Sequence, residues 1–162
     1  MYISNPSASF TRPNNTTAYA SGNLVANSTT AGSVVPMSLA LGNSSGVGSF
    51  RLTRARLIKS GTSATNANFR VHLYQASPTA ANGDGAAWST SNAADWLGNI
   101  DVTSMLAFTD GCCGTGSFPA GSEGYLKLSA GKTIYALLEA KAAYTPVANE
   151  VFTLVIEELF AF

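Results

Sequence analysis

The residues of this chain that could do chemistry are few. His72 is the only histidine, and so the one side chain whose ordinary pKa would let it trade protons near neutrality. It falls on the polar side of an alternating segment, where a histidine is expected to be a surface or hydrogen-bonded group. Ser-His-Asp chemistry also needs a nucleophile elbow or similar context, and no Gly-x-Ser-x-Gly elbow is expected. Asp95, Asp101, Asp110, Glu139 and Glu150 could meet in space as a glycosidase-like carboxylate pair, but their spacing gives no reason to bring two together. Glu157 and Glu158 point to opposite sides of a strand, so one is expected in solvent and the other opposite an arginine. Cys112 and Cys113 cannot complete a tetrahedral zinc site. As sequence neighbours, about 3.8 Å apart at Cα, they are badly placed for a disulfide. They are expected as dispensable thiols in a glycine-rich surface loop over 108–124. Gly83-Asp84-Gly85 and Gly111 to Gly116 are loops rather than phosphate cradles, because no Lys-Ser/Thr and no helix follows. No catalytic, cofactor-binding or metal-binding residue is therefore expected.

The element that organises the rest is Phe69-Arg-Val-His-Leu-Tyr-Gln-Ala-Ser-Pro-Thr79. Phe69, Val71 and Leu73 share one face and Arg70, His72 and Tyr74 the other, the period of a central, half-buried strand. Pro78 and Asn82-Gly-Asp-Gly85 stop it. Phe50 to Lys59 changes phase between Leu52 and Ala55, which predicts a β-bulge near Thr53 and Arg54. Pro36 makes 33–41 an edge strand or two short pieces, and 42–48 reads as a turn. Ser91 or Asn92 could cap a helical turn before Asp95, and 98–103 reads as a strand. Tyr125–Leu128, Thr133–Glu139 and Val151–Phe160 are further strands, with a turn at 129–132. About eight strands with no long helix predict an all-β fold. An antiparallel β-sandwich of jelly-roll type is preferred over an immunoglobulin-like one.

Residues 1–18 are polar and turn-rich and are read as an extended N-terminal arm. Tyr2, Ile3, Phe10 and Arg12 are spaced along it to dock on a neighbour. Residues 19–162 form the single sandwich domain. The first six residues have neither the basic region nor the apolar core of a signal peptide, and no apolar run near 20 residues occurs. Synthesis in a cytoplasm and no membrane partner are expected.

Only 11% of the 162 residues are charged, against roughly 25% in ordinary soluble domains, so the surface is largely Ser, Thr, Asn, Gly and Ala. Such a surface costs little side-chain entropy to cover, which suits a protein packed against neighbours. A net charge of zero argues against a nucleic-acid partner that is held through phosphates. The charges are nonetheless segregated. Residues 1–83 carry six bases and no acid, and 84–162 carry nine acids and three lysines. Either these neutralise within one molecule or they make complementary faces between copies, with Arg51, Arg54 and Arg56 as candidate interface residues. Trp88, Trp96, Tyr19, Tyr125, Tyr135 and Tyr144 are expected as core or interface anchors, with stacking on sugar rings as the other use.

Three blocks carry a resemblance to a family. Phe69–Thr79, Ala94-Asp-Trp-Leu-Gly-Asn-Ile-Asp101, and Leu137 to Pro146 followed by Glu150-Val-Phe-Thr-Leu154 resemble capsid decoration or cement proteins of tailed bacteriophages. The resemblance covers about residues 19–159 and brings no catalytic residue with it. It implies a non-enzymatic, oligomeric sandwich, a dimer or trimer, bound outside the capsid where major capsid subunits meet. The alternative is a carbohydrate-binding sandwich belonging to a host-recognition structure.

Overall fold

The computed structural model describes residues 2–42, 50–118, 125–126 and 132–160. Twelve strands lie among them: β1 (Tyr2–Ser4), β2 (Ser7–Thr11), β3 (Leu24–Val25), β4 (Met37–Ala40), β5 (Phe50–Lys59), β6 (Phe69–Tyr74), β7 (Trp96–Val102), β8 (Leu106–Phe108), β9 (Gly111–Gly116), β10 (Tyr125–Leu126), β11 (Thr133–Ala140) and β12 (Val151–Phe160). They form two antiparallel sheets. In the seven-stranded sheet β5 and β12 pair at the centre. β1 and β2 lie end to end along the far edge of β12, β9 and β10 along the far edge of β5, and β8 lies outside β9. The five-stranded sheet runs β7, β6, β11, with β3 and β4 end to end beyond β11. Pro36 thus stands between two short edge pieces, as its missing N–H requires.

Joining the end-to-end pieces leaves eight rows of strand, plus β8 as the first arm of a hairpin. Most successive rows pass from one sheet to the other, except β6 and β7, which are neighbours in the five-stranded sheet. The fold is a β-sandwich. Its core lies between the sheets, where Leu52, Leu57, Phe152, Leu154 and Ile156 of one meet Phe69, Val71, Leu73, Ile100 and Leu138 of the other. Each such side chain contributes about 1.5–3 kcal/mol by leaving water.

The phase change in β5 is a bulge at the expected place. Glu157 pairs with Arg54 and Glu158 with Leu52, so Thr53 is the extra residue, and its hydroxyl donates to the Glu157 carbonyl. The helical turn is also present, a 3₁₀ turn over Ala93–Asp95. Asn92 does not cap it; its Oδ1 accepts from the Thr79 backbone N–H instead.

Three expectations are corrected. Residues 2–11 are not an arm reaching to a neighbour but two strands of the seven-stranded sheet, paired with β12 from Tyr2↔Phe160 to Thr11↔Val151. The segment has no core of its own because it shares one: Phe10 stacks on Phe152 at 5.5 Å. The glycine-rich stretch 108–116 is not a surface loop but the hairpin β8–β9, with Cys112 buried and both cysteines unpaired. Its glycines permit close approach. A Cβ on Gly114 would lie 2.6 Å from the Ser104 carbonyl oxygen, and one on Gly116 2.3 Å from that of Asp101. His72 is not on a solvated face, because the segment between β6 and β7 folds back over it. The expected turns at 42–48 and 129–132, the strand beyond Leu126 and the rest of the 108–124 stretch fall wholly or partly outside the described residues.

Candidate functional site

The charges that the sequence segregates meet within one molecule. Arg12–Asp84, Arg54–Glu157, Lys59–Glu150 and Arg70–Asp101 each join a base of the first half to an acid of the second. Two of these pairs are structural and buried. Asp84 accepts from Arg12 Nη2 at 2.9 Å, from the Tyr19 hydroxyl at 2.6 Å and from the Ala26 N–H at 2.8 Å; Arg12 Nε also meets the Tyr19 oxygen. Burial beside Asp84 pushes the Tyr19 phenol far up, so it acts as a neutral donor. Glu150 accepts from Lys59, from the Gly61 N–H and from Tyr144. The aromatic series Phe10, Phe152, Phe69, Tyr144, Tyr19 runs in ring contact between the two clusters, with successive centroids 5.3–6.3 Å apart. Arg12, Tyr19 and Tyr144 are therefore buried in the core, and Phe10 is partly buried against it.

The other candidate interface residues converge. Along β12 the odd-numbered side chains leave the core, and their partners share that outer face. It carries Arg51 opposite Leu159, Arg54 opposite Glu157, Arg56 opposite Val155, and Ile58 flanked by Thr153 and Cys113. Ile3 joins it from β1 and Leu106 from β8, at 63% and 67% exposure, and Phe108 is exposed on the same side of β8. The result is an open sheet face with three arginines, one carboxylate and a scatter of aliphatic side chains. Tyr2 lies in β1, and its side chain is outside what is described.

The opposite face of the molecule is the outer side of the five-stranded sheet, and it is partly covered. Residues 79–95 lie across it, packing Ala80 and Trp88 with Leu24, Ala26 and Leu137 into a second small core. Beside that core a cleft of about 340 Å³ is lined by His72, Tyr74, Trp88, Thr90, Ala93 and Trp96. His72 Nε2 lies 2.8 Å from Glu139 Oε2, and its ring stacks on Trp88 at 3.9 Å and 16°. Burial, outweighing the hydrogen bond to Glu139, holds the His72 pKa below its usual value, so the ring is neutral at pH 7. Burial alone would raise the Glu139 carboxyl, but hydrogen bonds from His72 and Lys141 outweigh it and hold it low. Arg70 stands between Glu139 and Asp101, and its bidentate bond holds the Asp101 pKa down.

Of the sequence-singled carboxylates, only Asp101 and Glu139 come together, with Arg70 between them. Asp95 accepts from Gln75, and Glu150 is in the core. The one literal Gly-x-Ser-x-Gly pattern, Gly42 to Gly46, joins two strands rather than a strand and a helix, and 43–46 are outside the described residues. Among the described residues no group of three or more His, Cys, Asp or Glu could hold a metal ion. None of their helices is long and apolar enough to cross a membrane. The cleft was legible only in part: its aromatic types were visible, but the fold-back that brings Trp88 onto His72 has no local signal. No family model matches the chain, and no curated protein matches its sequence.

Proposed function

We propose that this protein is a structural component of a phage virion. It binds the outer surface of the capsid through the outer face of its seven-stranded sheet and stabilises contacts between major capsid subunits. The observation that supports this reading best is that face, where Arg51, Arg54 and Arg56 stand among Ile3, Ile58, Leu106 and Phe108. Arginine among exposed aliphatic and aromatic side chains is the composition of interface surfaces, and it fits a partner that offers carboxylates beside apolar groups. The low charge of the whole chain favours close packing in the same way. Self-association as a dimer or trimer belongs to this reading.

The test is retention on shells of the phage that encodes the chain. Arg54→Ala with Arg56→Ala removes two exposed cations and leaves the core intact. Copy number per shell, followed over a salt series, is expected to fall at least tenfold in affinity, a loss of about 1.4 kcal/mol or more. Unchanged decoration by the double variant would remove this face as the seat. Failure of the intact protein to bind shells at all would remove the function.

A further inference from the structure

We infer that the cleft formed by Tyr74, Thr90 and the two tryptophans is a binding site for a neutral saccharide, separate from the proposed capsid seat and not dependent on it. The segment 79–95 packs Ala80 and Trp88 over part of this sheet face, and the cleft opens beside that cover. Its volume, about 340 Å³, lies at the small end of the range for small-molecule sites. Trp96 stands at the cleft with 46% of its surface exposed, an apolar ring left in the open where the C–H face of a pyranose can stack.

Charge narrows the ligand class. Among the described residues no lysine or arginine lines the cleft, and His72 is neutral, so an anion meets no cation among them there. A quaternary ammonium needs ring faces turned towards it, yet His72 and Trp88 spend a face on each other. The hydrogen-bonding groups fit hydroxyls. The Tyr74 hydroxyl and Thr90 Oγ1, 3.1 Å apart, can each donate and accept. His72 Nδ1 and Trp88 Nε1 have no hydrogen-bond partner among the described residues. With His72 Nε2 committed as donor to the Glu139 carboxylate, Nδ1 is an acceptor, while Trp88 Nε1 is a donor. The stacked rings thus carry one unmatched acceptor and one unmatched donor, and a sugar's hydroxyls can satisfy either. Both atoms are buried, so a sugar that bonds them must displace Trp88, and such binding changes the surroundings of Trp88.

The chain has only these two tryptophans, so its tryptophan emission reports on the cleft alone. The full chain is titrated with methyl α-glucoside, methyl β-galactoside, N-acetylglucosamine and maltose. Emission and saturation-transfer NMR are recorded, with tetramethylammonium and a proline-rich peptide as controls. At least one sugar is expected to give a saturable emission change with millimolar affinity, weakened tenfold or more by Trp96→Ala. Thr90→Val, which removes a hydroxyl without opening the cleft, is expected to weaken it as well and serves should Trp96→Ala misfold. Absence of saturation by every sugar overturns the inference, as does saturation only by the ammonium ion or the peptide, or sugar binding unaffected by either variant.

Discussion

Arg12 and Asp84 lie side by side in the interior with 1% and 2% of their side chains exposed, and they tie the first strands to the segment that roofs the five-stranded sheet. Arg12→Met keeps most of the aliphatic bulk and leaves the Asp84 carboxylate without its cation. Removing one partner of a buried pair costs about 3–5 kcal/mol. Asp84 would keep the Tyr19 hydroxyl and the Ala26 N–H, which places the loss at the lower end, about 3 kcal/mol. At this chain length that is ~2–4 °C per kcal/mol, so the melting temperature falls by about 6–12 °C. Asp84→Asn leaves the guanidinium buried without its counter-charge and is expected to cost a similar amount. In the double variant Arg12→Met/Asp84→Asn no charge is stranded, so the total should fall short of the sum of the singles by about 2 kcal/mol. Urea unfolding of the four proteins, with thermal melts alongside, closes the cycle. A loss below about 1 kcal/mol for Arg12→Met, or singles that add within ~0.5 kcal/mol, would refute the reasoning and with it the place of residues 2–12 in the sandwich.

Three further outcomes are expected. Cys112→Ser puts a hydroxyl into the core and should cost about 1–3 kcal/mol, whereas Cys113→Ser, on the outer face, should stay within about 0.5 kcal/mol by urea titration. Gly116→Ala drives a methyl group towards the Asp101 carbonyl and should cost about 1–3 kcal/mol by overpacking, read as a lower urea midpoint at unchanged slope. Burial raises the Glu158 pKa above 4.5, against hydrogen bonds from Gly42 and Ser4, so the folded state holds its proton more tightly than the unfolded state. Its contribution is therefore fully present below pH 4.5 and is lost as pH rises through the folded pKa. Glu158→Gln should flatten that part of the stability profile, and a profile identical to that of the parent would show that Glu158 does not cause it.

What was legible in the sequence was local. The alternation of β6, the slip of phase at Thr53, the break at Pro36 and the turn before Asp95 each depend on a few adjacent residues, and each stands where the pattern put it. The misreadings share a different cause. Ser7 to Thr11 looks too polar to be ordered because its apolar partner, Phe152, lies far along the chain, although the alternation of Ala8, Phe10 and Arg12 with Ser7, Ser9 and Thr11 was there to read. The glycines of β9 look like a loop because glycine is usually chosen for freedom, whereas Gly114 and Gly116 are needed for their lack of a side chain. His72 looks solvated because its cover, Trp88, arrives from the next connection. The outer-face arginines Arg51, Arg54 and Arg56 were visible as types, but their company with Ile3 and Leu106 is a product of pairing across β12 and β9.

The position of β12 has a consequence for how the chain is made. It is an interior strand of its sheet, with β5 on one side and β1 and β2 on the other, yet it is synthesised after all three. Until it emerges from the ribosome, β5 and β2 each present an unpaired edge, and Leu57 and Phe10 lack their cross-strand neighbours Leu154 and Phe152. The seven-stranded sheet therefore closes only after translation has passed Phe160, and contacts so distant in sequence make that closure slow. Ribosomal products that stop short of Val151 would carry two open edges and no means of covering them, and would be cleared or would aggregate rather than compete with the finished protein.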